Sequence, residues 1–267
     1  MMKNMKKLTI FLVTTVLLSI AYSCSEEFLT KEPMGATSEN VFYSEKGIDA
    51  LLTGCYSMIR GSALWTVSWG ASIQNWTYGS AASDDAYKGS EVTDQVSVND
   101  IERWEVTPVN NYPADKWRLC LGMGVDRVNK TIRIVNKCVA DKIITEAKGK
   151  EYLAELRFLR GLFYFEARLV FGDFIPILKE DTEDPKTVVN TKADGAVLKF
   201  ITDDLKYAGD NLPASQALVG KATKYAAKAL CARAYLQDLK YAEAKPLLDE
   251  IIASNKYKLM DKFIQNF

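Results

Sequence analysis

Apolar positions recur with helical spacing along most of the chain and lose it in one long stretch. Residues 45–60 set Ile48, Leu51, Leu52, Cys55 and Ile59 on one helical face, with Ser44 placed to cap the start. Residues 117–139 repeat the pattern through Trp117, Leu121, Val128, Ile132 and Val135. Residues 150–171 are apolar almost all round, through Leu153, Leu156, Phe158, Leu159, Leu162, Phe163, Phe165, Leu169 and Val170. That predicts a central helix covered on most sides. Gly161 inside it suits close approach of a second helix, and Gly172 supplies the stop. Arg157 and Arg160 on the same helix read as structural groups, satisfied by neighbouring acids or carbonyls.

A connector, residues 173–191, contains Pro176, Pro185 and the acidic run "EDTED". Helix resumes over 192–210, where Val197, Phe200, Ile201, Leu205 and Ala208 share a face and "NLP" ends it. Residues 221–254 predict two helices joined by a short turn near Asp238–Lys240. Ala222, Ala226, Ala229 and Ala232 are small enough for close packing, and Tyr235, Leu236, Ala244, Leu248 and Ile251 extend the interface. The pair resembles a tetratricopeptide unit, which buries its face only when stacked on neighbours. The expected fold class is mainly α, built of tetratricopeptide-like helix pairs with an irregular, aromatic-rich loop region.

That loop region is residues 61–116. It is rich in Ser, Gly, Asn, Asp and aromatics, and it holds Trp65, Trp69, Trp76 and Trp104 of the chain's five tryptophans. Sugars present an apolar C–H face and a polar rim, so a ring can cover the face while amides and carboxylates meet the hydroxyls. The segment "WTVSWGASIQNWTYGSAASDDAYKG" offers both kinds of group: Trp65, Trp69, Trp76 and Tyr78 with Gln74, Asn75, Asp84 and Asp85. Trp65, Trp69, Asn75, Trp76, Tyr78, Asp84 and Asp85 are therefore the candidate glycan contacts. The competing reading is that the tryptophans fill gaps between helices.

Composition narrows the chemistry. The chain has no histidine, which excludes Ser-His-Asp and Cys-His nucleophiles and removes the commonest metal ligand. Asp84–Asp85 is not followed by calcium-loop spacing, and "GMG" at 122–124 sits in a helical pattern rather than after a strand. With 34 carboxylates, acid pairs occur at every spacing and carry no specificity for glycoside hydrolysis. No catalytic residue, cofactor or metal site is assigned. The 34 basic residues balance the acids, and setting aside residues 1–23 removes three lysines, so nucleic acid is not an expected partner. Cys55, Cys120, Cys138 and Cys231 lie in helical patterns without CxxC spacing and are expected to be buried thiols.

Residues 1–23 read as an export signal: Lys3, Lys6 and Lys7, then the uncharged run Leu8–Ala21, then small residues. Fourteen residues fall short of the roughly 20 that span a bilayer. "AYSC" resembles a bacterial lipobox, which makes Cys24 the lipidated N-terminus, with residues 24–44 as a tether. Several acyl chains at about 0.8 kcal/mol per buried methylene anchor a protein stably where a single chain is marginal.

Six stretches together are similar to the SusD/RagB family of outer-membrane nutrient-binding lipoproteins. They are "CSEEFLTKEP", "IDALLTGCYSMIRG", "WRLCLGMGVDRVNKTI", "KEYLAELRFLRGLFYFEARLVFGDFIPIL", "ITDDLKYAGDNLP" and "GKATKYAAKALCARAYL". The resemblance implies a non-enzymatic protein of the outer membrane, lipid-anchored and facing outward through the acids Glu26 and Glu27. It implies capture of an oligosaccharide and delivery to a SusC-type TonB-dependent transporter. Family members run to about twice this length, so residues 45–267 are expected to be an N-terminal helical domain whose second half is missing. The alternative is a helical-repeat module for protein docking or peptide binding, or a fragment without function.

Overall fold

The computed structural model describes residues 38–61, 71–73, 76–89, 91–180 and 187–266. The chain divides into two units, Met1–Val41 and Phe42–Phe267. Of the first, the described residues lead into a short 3-10 turn, Glu39–Phe42. The second is built of helices, with no strand among the described residues.

Helix α1 (Glu45–Ser57) starts where Ser44 Oγ accepts the backbone N–H of Gly47 at 3.0 Å, and it buries Ile48, Leu52 and Cys55. Two short helices follow, α2 (Val96–Glu102) and α3 (Asn111–Trp117). The stretch expected to be irregular thus holds regular pieces too short to show a period. Helix α3 runs into a wide π turn, Arg118–Val125, and on into α4 (Asp126–Ala140). The helix expected from residue 117 therefore begins at Asn111, where Asn110 caps it through the Tyr112 N–H.

Helix α5 (Glu146–Phe171) is the centre, packed against α1, α3, α4, α6 (Ala196–Asn211), α7 (Lys224–Gln237) and the π turn. Leu156, Leu159, Phe163, Tyr164 and Phe165 are fully enclosed. At Gly161 a Cβ would stand 2.8 Å from the Leu205 side chain of α6, so only glycine allows this approach. Gly172 ends the helix in the left-handed region, at φ 66°. Helix α8 (Tyr241–Ala253) folds back on α7 across Asp238–Lys240. The small residues facing the core are Ala227, Cys231 and Ala234 with Ala222 and Ala232, whereas Ala229 and Leu236 face outward.

Charged groups bind the layers together. Arg160 of α5 grips Asp204 of α6 with Nε–Oδ2 2.6 Å and Nη2–Oδ1 2.9 Å, and donates Nη1 to Asn129 Oδ1 of α4 and to the Lys179 carbonyl. This is the structural role expected for Arg160. Lys116 of α3 is enclosed too, donating to Glu166 of α5 and the Ser72 carbonyl, each at 3.0 Å. Cys55, Cys120, Cys138 and Cys231 are free buried thiols, as expected. Burial pushes the Cys120 thiol up to about 12 and those of Cys55 and Cys231 to about 11, so none is a nucleophile near neutral pH. Among the described residues no helix is long and apolar enough to cross a membrane.

Candidate functional site

Of the tryptophan-bearing segment, residues 76–82 pack against α2 and α3. Trp76 and Tyr78 lie on a π turn, Trp76–Ser80, and lean on a small apolar cluster of Ala81, Val98, Ile101 and Tyr112. Tyr112 sits in the first turn of α3 and hydrogen-bonds Gln95 Oε1, which ties the N-terminus of α2 to α3. Asn110 strengthens the same junction by donating to the Ser97 carbonyl at 2.8 Å and to Asp100 at 3.1 Å. The loop before α2 is held by Lys88, whose backbone N–H donates to Glu102 and whose Nζ donates to the Glu91 carbonyl. These bonds brace the junction of α2 and α3 on which the π turn rests.

Trp76 and Tyr78 are both half-buried, with part of each ring against the cluster and part outside. The Tyr78 hydroxyl and the Thr77 Oγ1 are buried with no hydrogen-bond partner among the described residues. Burial, helped by the negative charge of Asp115, pushes the Tyr78 phenol far above its ordinary value, so it stays a neutral donor. Asp84 and Asp85 are exposed in the turn that follows, and among the described residues no group of three or more acids, cysteines or histidines could hold a metal ion. Trp65, Trp69, Asn75 and the lipidation candidate Cys24 lie outside the described residues.

Two further indoles stand at the C-terminal ends of α2 and α3 and were not among the glycan candidates read from sequence. Trp104 follows α2 with its backbone at φ 60°, a conformation costly for a bulky residue, and its side chain is 81% exposed. Trp117, at the end of α3, meets Phe171 edge-to-face, with ring centroids 5.1 Å apart. The rings of Trp117 and Phe171 with Pro113, Ala114, Arg118 and Gly122 line an open groove of about 560 Å³. Five residues along one helix separate Tyr112 from Trp117, roughly 7.5 Å of rise. No periodicity points to Trp104, whose exposure follows from the left-handed turn at the helix end. Trp117 did have a signal: it is the fifth tryptophan of the cluster, and its helical spacing made it look like core alone.

Chemically, the described residues offer exposed or half-exposed rings with an arginine, Arg118, beside Trp117. Flat rings with adaptable polar neighbours suit the C–H faces and hydroxyls of a sugar.

Known proteins agree with this architecture. A profile of SusD-like proteins, described as starch-binding and associating with the outer membrane, matches residues 27–236. A SusD-like protein of Bacteroides ovatus is 30% identical over 237 residues, which is 87% of this chain and 39% of that protein. Surface glycan-binding protein A from Bacteroides fluxus superposes with a TM-score of 0.69 at 26% identity, covering 82% of this chain and 46% of that one. A laminarin-binding SusD-like protein superposes with a TM-score of 0.67 at 24% identity, over 82% and 47% of the two chains. The chain thus spans less than half the length of each of these relatives. Its helices match the tetratricopeptide-like helical fold of these neighbours, and the chain belongs to the SusD-like family.

Proposed function

We propose that the protein is a cell-surface lipoprotein that captures an oligosaccharide and passes it to a SusC-type TonB-dependent transporter, without catalysing a reaction. The observation that supports the reading is that Trp76 and Tyr78 on the π turn, Trp104 after α2 and Trp117 at the end of α3 are each at least partly open to solvent. Trp65, Trp69, Asn75, Asp84 and Asp85 remain proposed contacts from the same loop region, and Cys24 the proposed anchor. The names of the relatives support glycan binding, and the family description supports the outer membrane. An oligosaccharide on an open, wet surface should bind between micromolar and millimolar, about −8 to −4 kcal/mol.

Isothermal titration with neutral oligosaccharide pools, β-glucans and starch fragments among them, tests the proposal. Trp117→Ala and Trp104→Ala should each weaken binding roughly tenfold, about 1.4 kcal/mol, with the unfolding midpoint nearly unchanged for the exposed Trp104 and lowered for Trp117, which packs on Phe171. Binding that survives both substitutions intact would place the sugar elsewhere, and no heat with any glycan would contradict the function.

A further inference from the structure

A second cavity, of about 290 Å³, lies between α4, the middle of α5 and residues 179–180. Among the described residues its walls carry Arg133, Arg157, Arg160, Lys179 and Glu180. Arg160 is committed from behind to Asp204, Asn129 and the Lys179 carbonyl. Arg157 is not committed in that way. Its guanidinium stacks 4.1 Å above the Tyr207 ring, and its one ion pair, Nε to Asp204 Oδ1, is long at 3.9 Å. Its two terminal nitrogens make no hydrogen bond among the described residues, and the side chain is 37% exposed. The stack fixes the plane of the fork, so ordering it around a planar anion costs little.

The remaining walls limit what that anion can be. Asn136, exposed at the rim, offers an amide with no partner among the described residues, and Ile132 offers an apolar side. A fork for a carboxylate, an amide for a hydroxyl and an aliphatic wall for C–H groups match the parts of a sugar acid. The volume is at the lower end of the roughly 300–1,000 Å³ of ligand pockets, which suits one ring and not a chain. We propose that this cavity binds a single uronic acid residue, its carboxylate on the outer nitrogens of Arg157 and a ring hydroxyl on Asn136. The inference goes beyond the aromatic surface at α3 and does not depend on it.

Titration of the 267-residue chain with glucuronate, with glucose and inorganic sulfate as separate arms, tests it. Glucuronate should bind in the millimolar range and more weakly as salt rises, and glucose should give no heat. Arg157→Gln should weaken glucuronate about tenfold, since the bidentate charge-assisted pair is lost. Asn136→Asp, an exposed change that adds a negative charge at the rim, should weaken it several-fold. Thermal unfolding of both variants checks that the fold persists. Equal binding of glucose and glucuronate, sulfate binding without glucuronate, or unchanged glucuronate affinity in both variants would overturn the proposal. Saturating the chain with a neutral oligosaccharide that binds at α3 should leave glucuronate binding unchanged, so either site can fail alone.

Discussion

Arg160 illustrates how a charge is kept inside this fold. Its side chain is 8% exposed and its partner Asp204 only 4%, yet every edge of the guanidinium meets an oxygen. The paired state balances desolvation against attraction, so the pair adds modest net stability while its disruption is severe. Asp204→Ala should therefore lower stability by about 3–5 kcal/mol, read as a shift of the urea midpoint with an unchanged slope. A loss below about 1 kcal/mol would mean that the site relaxes and water reaches Arg160. Sequence alone placed Arg160 in a structural role, because a cation on a helix apolar nearly all round must find acceptors. Its partner could not be named, since Asp204 lies on another helix among many acids. The strained Trp104 was equally illegible, because left-handed backbone in a large residue has no pattern.

The best-read elements are those whose burial repeats at helical spacing, and α5, α6, α7 and α8 appeared within a few residues of their observed bounds. The region around α3 was read poorly for two physical reasons. Seven residues make only two turns, too few for a period to emerge, as in α2 and α3. The π turn also changes the residues per turn, so Leu119, Cys120, Leu121, Gly124 and Val125 are all buried without following one stripe. The C-terminal end of α5 is fastened by charge instead of packing. Arg168 donates to both oxygens of Asp173, at 2.6 and 3.1 Å, and also pairs with Asp238 in the α7–α8 turn at 2.7 Å. These bonds hold the Asp173 carboxyl below its ordinary value. A depressed carboxylate contributes fully above its unfolded value, near 3.9, and the contribution is lost as pH falls through the lower folded value. Asp173 is 36% exposed, so the effect is screened to about 1 kcal/mol or less. Asp173→Asn should lower stability at pH 7 by that amount and flatten its fall below about pH 4, as chemical unfolding at a series of pH values would show. An identical acid limb in the variant would mean that other carboxylates set it.

At the scale of the whole molecule, helix pairs form the scaffold, and the short-helix region around α3 carries the rings proposed to meet the sugar. The stacking face of the scaffold is not fully covered. Ile252 of α8 is 72% exposed, and Leu259, Phe263 and Ile264 beyond it are more so. The relatives in which this architecture recurs are more than twice as long as the part matched here. The aromatic surface is the feature on which the functional reading turns, and it makes a direct optical prediction. Iodide quenching of tryptophan fluorescence, measured with and without a bound neutral oligosaccharide, tests it. The free protein should show a readily quenched fraction that Trp104→Phe reduces, and the sugar should protect part of the quenchable emission of Trp104 and Trp117. Quenching that stays the same while calorimetry reports the sugar bound would show that the ligand does not lie on these rings, and would contradict the account.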